Sequence, residues 1–316
     1  MKFDNLADLK VLVAAAETGG FTPAGRRCGL STAAVSAAIK RLETSLGVRL
    51  FERSTRSVQA TQEGRVMIDH ARRALELVAE GQALVRGGSA ALTGSLRLTT
   101  SSALARGLLL DWLPGFAAQH PGLEIDLRVT DTHVDLVREA IDVAVRYGPL
   151  PDSGLAARLL APSHRIACAS PAYLRRRGWP QQPQDLAQHE CLTYEVRGRL
   201  LCDWAFSPVD GAGQTVTVPV RGALRCNDAS VALDWALQGQ GVVYQSALQL
   251  AGALADGRLQ RVLPHWLGAP APLYAVLPSN RFVPPRVTAL VEALAELFAR
   301  SAAVELGDRA GDRVAG

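Results

Sequence analysis

The chain has 316 residues, 48% of them hydrophobic, and a formal net charge of +4, which is enough chain for a small domain and a larger one, each with its own core. Thirteen basic against nine acidic residues in positions 1–92 account for the whole excess, since the rest of the chain carries 21 of each sign; affinity for nucleic acid therefore belongs to the N-terminal part. Five cysteines at 28, 168, 191, 202 and 226, with no CxxC and no ligand spacing to histidine, exclude a disulfide framework and a zinc site, and with no leader-like opening and no apolar run of about 18 residues the sequence reads as cytoplasmic, with no membrane span.

In chain order, Leu6, Leu9, Leu12, Val13 and Ala16 recur at helical intervals and Gly19-Gly20 stop that helix. Thr22 reads as the cap of a short second helix with Pro23 at its first position, and Cys28-Gly29-Leu30 as a tight link. Ser31 sits where an N-cap belongs and Gly47 where a helix stops. At about 100° per residue, Ile39, Leu42 and Leu46 share a face with Val35, while Ala33, Ser36, Ala37 and Lys40 lie opposite. Short helix, glycine turn and longer helix make a helix-turn-helix. Its free face suits the DNA major groove: Ser36 bonds most base edges, the methyls of Ala33 and Ala37 match a thymine methyl, and Lys40 reaches a phosphate or a guanine. After Gly47, Leu50, Phe51 and Val58 flank the basic turn Arg53-Ser54-Thr55-Arg56-Ser57, the composition of a wing laid on the DNA backbone. Candidate DNA contacts are thus Thr22, Arg26, Ser31, Thr32, Ala33, Ser36, Ala37, Lys40 and Arg41 from the helices, with Arg53, Thr55 and Arg56 from the wing.

From Thr61 the pattern is helical for about 25 residues. Ile68, Ala71, Leu75, Val78, Gln82 and Val85 alternate three and four apart, as in a coiled-coil seam, so Ile68, Ala71, Leu75, Val78 and Val85 are expected to pair two copies; the competing reading packs the stripe on its own domain. Gly81 softens this helix, and Arg86-Gly87-Gly88-Ser89 reads as a hinge.

Beyond Gly94 strands and helices alternate. Strand 96–100, helix 103–119, strand 123–129, a helix around 134–140 and strand 142–146 form βαβαβ, hence a parallel sheet. A second set follows: strand 166–169, helix 172–176, strands near 192 and 216–220, helix 228–238 and strand 241–244. Strand 273–277 and a helix opened by Pro284-Pro285 close the fold at about residue 300, and 301–316 read as a frayed tail. In open α/β sheets ligands bind beyond the carboxyl ends of strands. Those ends carry Thr100, Ser101, Ser102, Asp131, Thr132, Arg146, Tyr147, Gly148, Ser170, Asn227, Asp228, Tyr244 and Gln245, a polar cleft in which Ser101 and Ser102 open a helix whose free N–H groups suit an anion. A small organic acid is the expected ligand.

The run AETGGFTPAGRRCGLSTAAVSAAIKRLETSLGVRLFERSTRSVQATQEG, within residues 6–64, resembles the winged helix-turn-helix of LysR-type transcriptional regulators, and PGLEIDL, CNDASVALDWALQGQGVVYQ and GRLQRVLP resemble that family's effector-binding domain. The resemblance implies an α/β protein with an N-terminal winged helix-turn-helix (1–60), a dimerisation linker helix (61–88) and a two-subdomain α/β domain like a periplasmic binding protein (89–300), with subdomain I at about 93–164 and 270–300, subdomain II at about 165–269 and a flexible tail at 301–316. It further implies promoter double-stranded DNA, a small-molecule effector and the chain itself, as dimer and tetramer, as partners, leaving RNA polymerase open as another, with no membrane and no cofactor. The chain departs from the family at Gly25, where alanine is usual and the second helix is expected to loosen; at Ala33 and Ala37, where hydrogen-bonding side chains are common; and at Tyr244-Gln245-Ser246, where leucine-proline is common.

An enzyme is disfavoured, because His70, His120, His133, His164, His189 and His265 are scattered and no nucleophile elbow, HExxH or phosphate-cradling glycine loop occurs. A solute-binding protein fits the C-terminal half but not the attached DNA reader. A redox sensor using Cys191 and Cys202 matches no motif, and both read as packing residues.

Overall fold

The computed structural model describes residues 5–53, 58–85, 92–132, 134–148, 155–278 and 283–311. It divides into two compact units, Met1–Ser95 and Leu96–Gly316.

In the first unit, α1 (Leu6–Thr18) is capped by Asn5, whose side chain accepts from the Ala7 N–H at 3.0 Å, and ends on Gly19 in the left-handed region. The second helix, α2 (Phe21–Cys28), begins two residues earlier than its composition suggests, with Gly20 as N-cap and Pro23 in the third position. The first-turn N–H groups have no intrahelical partner, so proline is tolerated throughout that turn. Gly25 does not loosen α2: a Cβ there would lie 2.6 Å from the Leu30 carbonyl oxygen, and the Leu30 N–H donates to the Gly25 carbonyl at 2.8 Å. Closing the turn that tightly needs glycine. The third helix, α3 (Thr32–Leu46), starts on Ser31, whose hydroxyl accepts from the Ala34 N–H at 3.2 Å, and stops on Gly47 at φ 71°. A short antiparallel ribbon, β1 (Phe51–Arg53) and β2 (Val58–Ala60), forms the wing. Then α4 (Gln62–Val85) begins with the Thr61 hydroxyl accepting from the Gly64 N–H at 2.9 Å. One core joins these elements through Leu12, Ala15, Val35, Ile39, Leu42, Leu50, Phe51, Ile68 and Ala71.

The second unit takes up β3 (Thr93–Thr100) from Leu96 and runs through α5 (Ser102–Leu104), a π-helical turn (Ala105–Leu109), α6 (Leu110–Gln119), β4 (Gly122–Val129), β5 (Val143–Tyr147), β6 (Ala156–Ala161), β7 (Arg165–Ala169) and α7 (Pro171–Arg177). It continues through β8 (Cys191–Val196), β9 (Arg199–Leu200), β10 (Asp203–Pro208), β11 (Val216–Pro219), β12 (Arg225–Cys226), α8 (Ala229–Leu237), β13 (Val242–Ser246), α9 (Ala247–Ala255), β14 (Gln260–Val262), β15 (Trp266–Gly268), β16 (Leu273–Leu277) and α10 (Pro285–Gly311). Two main sheets result, of order β4-β3-β5-β16-β6 in subdomain I and β12-β8-β13-β7-β14 in subdomain II, the latter with β9 paired to β8. A small sheet, β11-β10-β15, lies beside the second.

Neither main sheet is wholly parallel. In subdomain I, β3 and β5 are parallel, but β16 returns from the far end of the chain antiparallel to both β5 and β6. In subdomain II, β8 is parallel to β12 and β13, and β7 is antiparallel to β13 and β14. The chain crosses between subdomains twice, after β6 and after β15. The two crossings hold each other: Arg165 N–H donates to the Ala269 carbonyl at 2.9 Å and Ala271 N–H to the Ser163 carbonyl at 2.7 Å.

Three expectations from the sequence give way. Residues 136–140 form a turn rather than a helix, because the Asp135 carboxylate accepts from the Val137 and Arg138 N–H groups at 3.0 Å each and Ala140 takes φ 55°, which ends the turn. The helix expected over 103–119 is interrupted by the π-helical turn. And α10 continues to Gly311, through part of the expected tail. The strand β6, sequence AARLLA, went unread because it lacks period-2 alternation.

Candidate functional site

On α3, Thr32, Ala33, Ala37 and Lys40 are exposed and Ser36 is half-buried, opposite the buried Val35, Ala38, Ile39 and Leu42. Thr22 and Arg26 stand exposed on α2, and the Thr32 hydroxyl donates to that of Thr22 at 3.3 Å, tying the two helices at their N-termini. Ser31 is spent as the cap. Arg41 turns away to Asp8 on α1, with Nε–Oδ2 at 3.0 Å and NH2–Oδ1 at 2.6 Å, and that carboxylate raises the guanidinium pKa by its hydrogen bond and its charge. Asp8 is buried, so this forked pair fastens α1 to α3. Arg27 pairs with Glu17 at 2.7 Å. Arg26 and Lys40 are left without an ion pair among the described residues, available to phosphate. Glu43 holds the entry to the wing by accepting from the Leu50 and Phe51 N–H groups at 2.9 and 3.3 Å. The Arg53 side chain, Thr55 and Arg56 lie outside the described residues.

Between the subdomains of the second unit is a cavity of about 380 Å³. Its polar wall holds Thr99, Ser101, Asp131, Thr132, Arg146 and Tyr147 from subdomain I and Arg165, Tyr194, Glu195, Arg197, Ser246 and Gln249 from the other side; Val134, Leu136, Ala144, Leu155, Ala157 and Val276 give it an apolar wall. The Arg146 guanidinium donates to the Thr130 carbonyl and, at 3.2 Å, to the Thr99 hydroxyl. Burial pulls it below the usual arginine range, and nearby Asp131 draws it part of the way back. Arg165 donates to the Tyr194 hydroxyl, which in turn donates to the Tyr244 carbonyl at 3.2 Å. Among the described residues neither arginine forms an ion pair, and no group of three or more His, Cys, Asp or Glu could hold a metal.

Residues 6–65 match the family description "Bacterial regulatory helix-turn-helix protein, lysR family", and residues 89–299 match "LysR substrate binding domain". The chain belongs to the LysR family of transcriptional regulators. The HTH-type transcriptional activator AaeR of Escherichia coli K12 is 29% identical over 93% of this chain and 94% of its own length. The HTH-type transcriptional regulator PtxR of Pseudomonas aeruginosa is 33% identical over 94% of each. The solved structure of CrgA, a LysR-type regulator from Neisseria meningitidis, superposes with a TM-score of 0.59 at 29% identity, covering 93% of this chain and 99% of that one. The family is one of regulators, not enzymes.

Of the strand-end residues of this LysR-type regulator, the cavity gathers Ser101, Asp131, Thr132, Arg146 and Tyr147. The others are engaged elsewhere. Thr100 is buried with its hydroxyl on the Val145 carbonyl, Ser102 lies beneath the wall between Asp131 and Asp228, and Ser170 caps α7. Gly148 packs where a Cβ would meet the Tyr274 ring at 2.8 Å, and Asn227 is exposed away from the lining. Tyr244 stacks on Trp204 with ring centroids 4.9 Å apart, and its hydroxyl donates to the Ala205 carbonyl at 2.6 Å. Gln245 is buried on the opposite face of the same strand and donates to the Ala229 carbonyl at 2.6 Å, because successive side chains of a strand alternate faces. Sequence reasoning missed Arg165, at the first crossing, and Arg197, which takes φ 54° beside Gly198 in a two-residue turn between β8 and β9. The turn pair Arg-Gly was the available signal.

The seam expected between copies is intramolecular over its first half. Ile68 and Ala71 are 6% and 1% exposed in the core shared with α1, and Leu75 packs against that core. Among the described side chains of α4, the exposed large apolar ones are Val66, Leu77 and Val78, and the Val85 side chain lies outside the described residues. Heptad spacing marks a stripe but does not say which partner covers it.

Burial pushes the thiols of Cys168 and Cys191 up to about 12. Thiolate is the reactive form, so treatment of the native protein with iodoacetamide at pH 8 should leave both unmodified while they label fully once the chain is unfolded. Modification of Cys191 at the rate of a free thiol would restore the redox reading.

Proposed function

We propose that this regulator reads promoter DNA with the exposed face of α3, acts in the cytoplasm as a self-associated dimer that pairs into a tetramer, and is controlled by a small organic acid seated between the subdomains. Thr22, Arg26, Thr32, Ala33, Ser36, Ala37 and Lys40 are the DNA-facing set, and the exposed apolar residues of α4 are the self-association surface. The observation that carries the effector reading is the pair Arg146 and Arg165, two guanidiniums on one cavity with, among the described residues, no carboxylate bonded to either. A carboxylate ligand supplies the missing charge, and the apolar wall accepts its hydrocarbon part.

Two measurements test this. Titration of the gene's own upstream DNA should give a log K that falls with log salt, and Lys40→Ala should lower the slope by about 1 and weaken all sequences alike. An unchanged slope removes Lys40 from the interface. For the effector, thermal unfolding with organic acids and their methyl esters should show stabilisation by acids only, about 2.7 kcal/mol at 100 times the dissociation constant. Esters that stabilise equally would overturn the anion seat.

A further inference from the structure

Resting on the reading of the cavity as an acid site, we infer that the effector is an apolar carboxylic acid carrying a hydrogen-bond donor, hydroxyl or ammonium, next to its carboxylate, and that this donor completes a latch between the subdomains at Ser102. The Ser102 hydroxyl lies 2.7 Å from Asp131 Oδ2 and 2.6 Å from Asp228 Oδ1. One hydroxyl has one hydrogen and two carboxylates only accept, so one of these contacts holds no proton. Asp228 is well supplied: its Oδ1 also accepts from the Ser230 N–H at 2.7 Å and the Ser230 hydroxyl at 2.6 Å. Burial disfavours its charge, but the hydrogen bonds from Ser102, Ser230 and the Val231 N–H outweigh that and hold the carboxyl below the usual range. Asp131 has no donor among the described residues except Ser102.

The two ends of this arrangement sit in different places. Ser102 opens α5 in subdomain I and Asp228 caps α8 in subdomain II, so their bond crosses the boundary between the subdomains. Asp131 faces the cavity, which Ser102 and Asp228 do not line. A donor reaching Asp131 must therefore come from whatever occupies the cavity. Once it does, the Asp131 carboxylate turns from Ser102 to that donor, Ser102 commits its hydrogen to Asp228, and the subdomains are joined with every close oxygen pair holding a proton. Without it, either the Asp131 or the Asp228 contact is repulsive. The donor belongs close to the ligand's carboxylate, because Arg146 donates to the carbonyl of Thr130, the residue before Asp131. The hydrocarbon part then meets Val134, Leu136, Ala144 and Val276.

The test uses two trios of acids that differ only at the carbon beside the carboxylate: phenyllactate, phenylalanine and 3-phenylpropanoate, and 2-hydroxyisocaproate, leucine and isocaproate. Calorimetric titration of the full chain should show a hydroxyl or ammonium member binding at least about tenfold tighter than the plain acid of its trio; which of the two wins identifies the donor. In Asp131→Asn the side-chain amide brings its own hydrogen to Ser102, so the preference should fall below about threefold and the ligand-free effector domain should melt higher than wild type. Equal binding of all three members of each trio overturns the donor requirement and leaves the acid site standing, as does an Asp131→Asn protein that keeps the preference. Failure of all six to bind overturns the acid reading itself, and the latch with it.

Discussion

Gly64→Ala should unfold the DNA-reading unit while leaving the effector domain folded. A Cβ on Gly64 would sit 1.9 Å from the Leu50 carbonyl oxygen, 2.8 Å from its carbon and 3.1 Å from the Thr61 hydroxyl. The obstacle is backbone, and it is pinned: the Leu50 carbonyl accepts from the Thr61 N–H at 3.0 Å, the Leu50 N–H donates to Glu43, and the Leu50 side chain is fully buried. Relief would require α4 to lift off the segment that leads into the wing, breaking the Thr61 cap and uncovering Ile68 and Ala71. Overpacking against yielding side chains costs about 1–3 kcal/mol, and a rigid backbone contact puts this case at about 3 kcal/mol or more. For a unit of under 100 residues that lowers the melting temperature by roughly 12–24 °C. Calorimetry should show the DNA-domain transition displaced and the effector-domain transition unmoved, with promoter binding lost at 37 °C. A variant that melts as wild type would show that the first turn of α4 is not held against Leu50.

Arg146→Met should abolish the response to effector while sparing DNA binding in its absence. The substitution keeps an unbranched apolar stem in place of the arginine's and removes the charge that the proposed carboxylate needs. Truncating one partner of a buried, hydrogen-bonded charge pair costs about 2–5 kcal/mol, which raises the half-maximal effector concentration roughly 30-fold or more. The Thr130 carbonyl and the Thr99 hydroxyl lose a donor in the same variant, so Arg146→Lys is the companion: it restores the charge without the fork and should recover part of the response. Effector titration of a promoter reporter, with protein abundance held equal, reads the outcome. A wild-type curve for Arg146→Met places the acid elsewhere in the cavity, with Arg165 as the next residue to change.

What the sequence by itself determined was local. The limits of α3 follow from Ser31 and Gly47, because a cap hydroxyl and a left-handed glycine act within one turn of the chain. The same locality made the buried and exposed faces of α3 readable and Ser101, Asp131, Thr132, Arg146 and Tyr147 findable as strand-end residues, while the two-subdomain plan came from the family resemblance. Tertiary structure decided everything that depends on a distant partner. Arg41 looked like a phosphate contact until Asp8, 33 residues earlier, claimed its fork. The stripe on α4 looked like a seam between copies until α1 covered Ile68 and Ala71. Tyr244 and Gln245 end a strand as the cleft residues do, yet the alternation of that strand sends one to Trp204 and the other to Ala229. Arg165, at the first crossing, and Arg197, in the β8–β9 turn, share one cavity with Arg146 and Asp131 only because the two subdomains meet around it. Hydrophobic period and caps specify an element and its faces, but which surface a face meets is set by contacts whose sequence separation leaves no mark in the pattern.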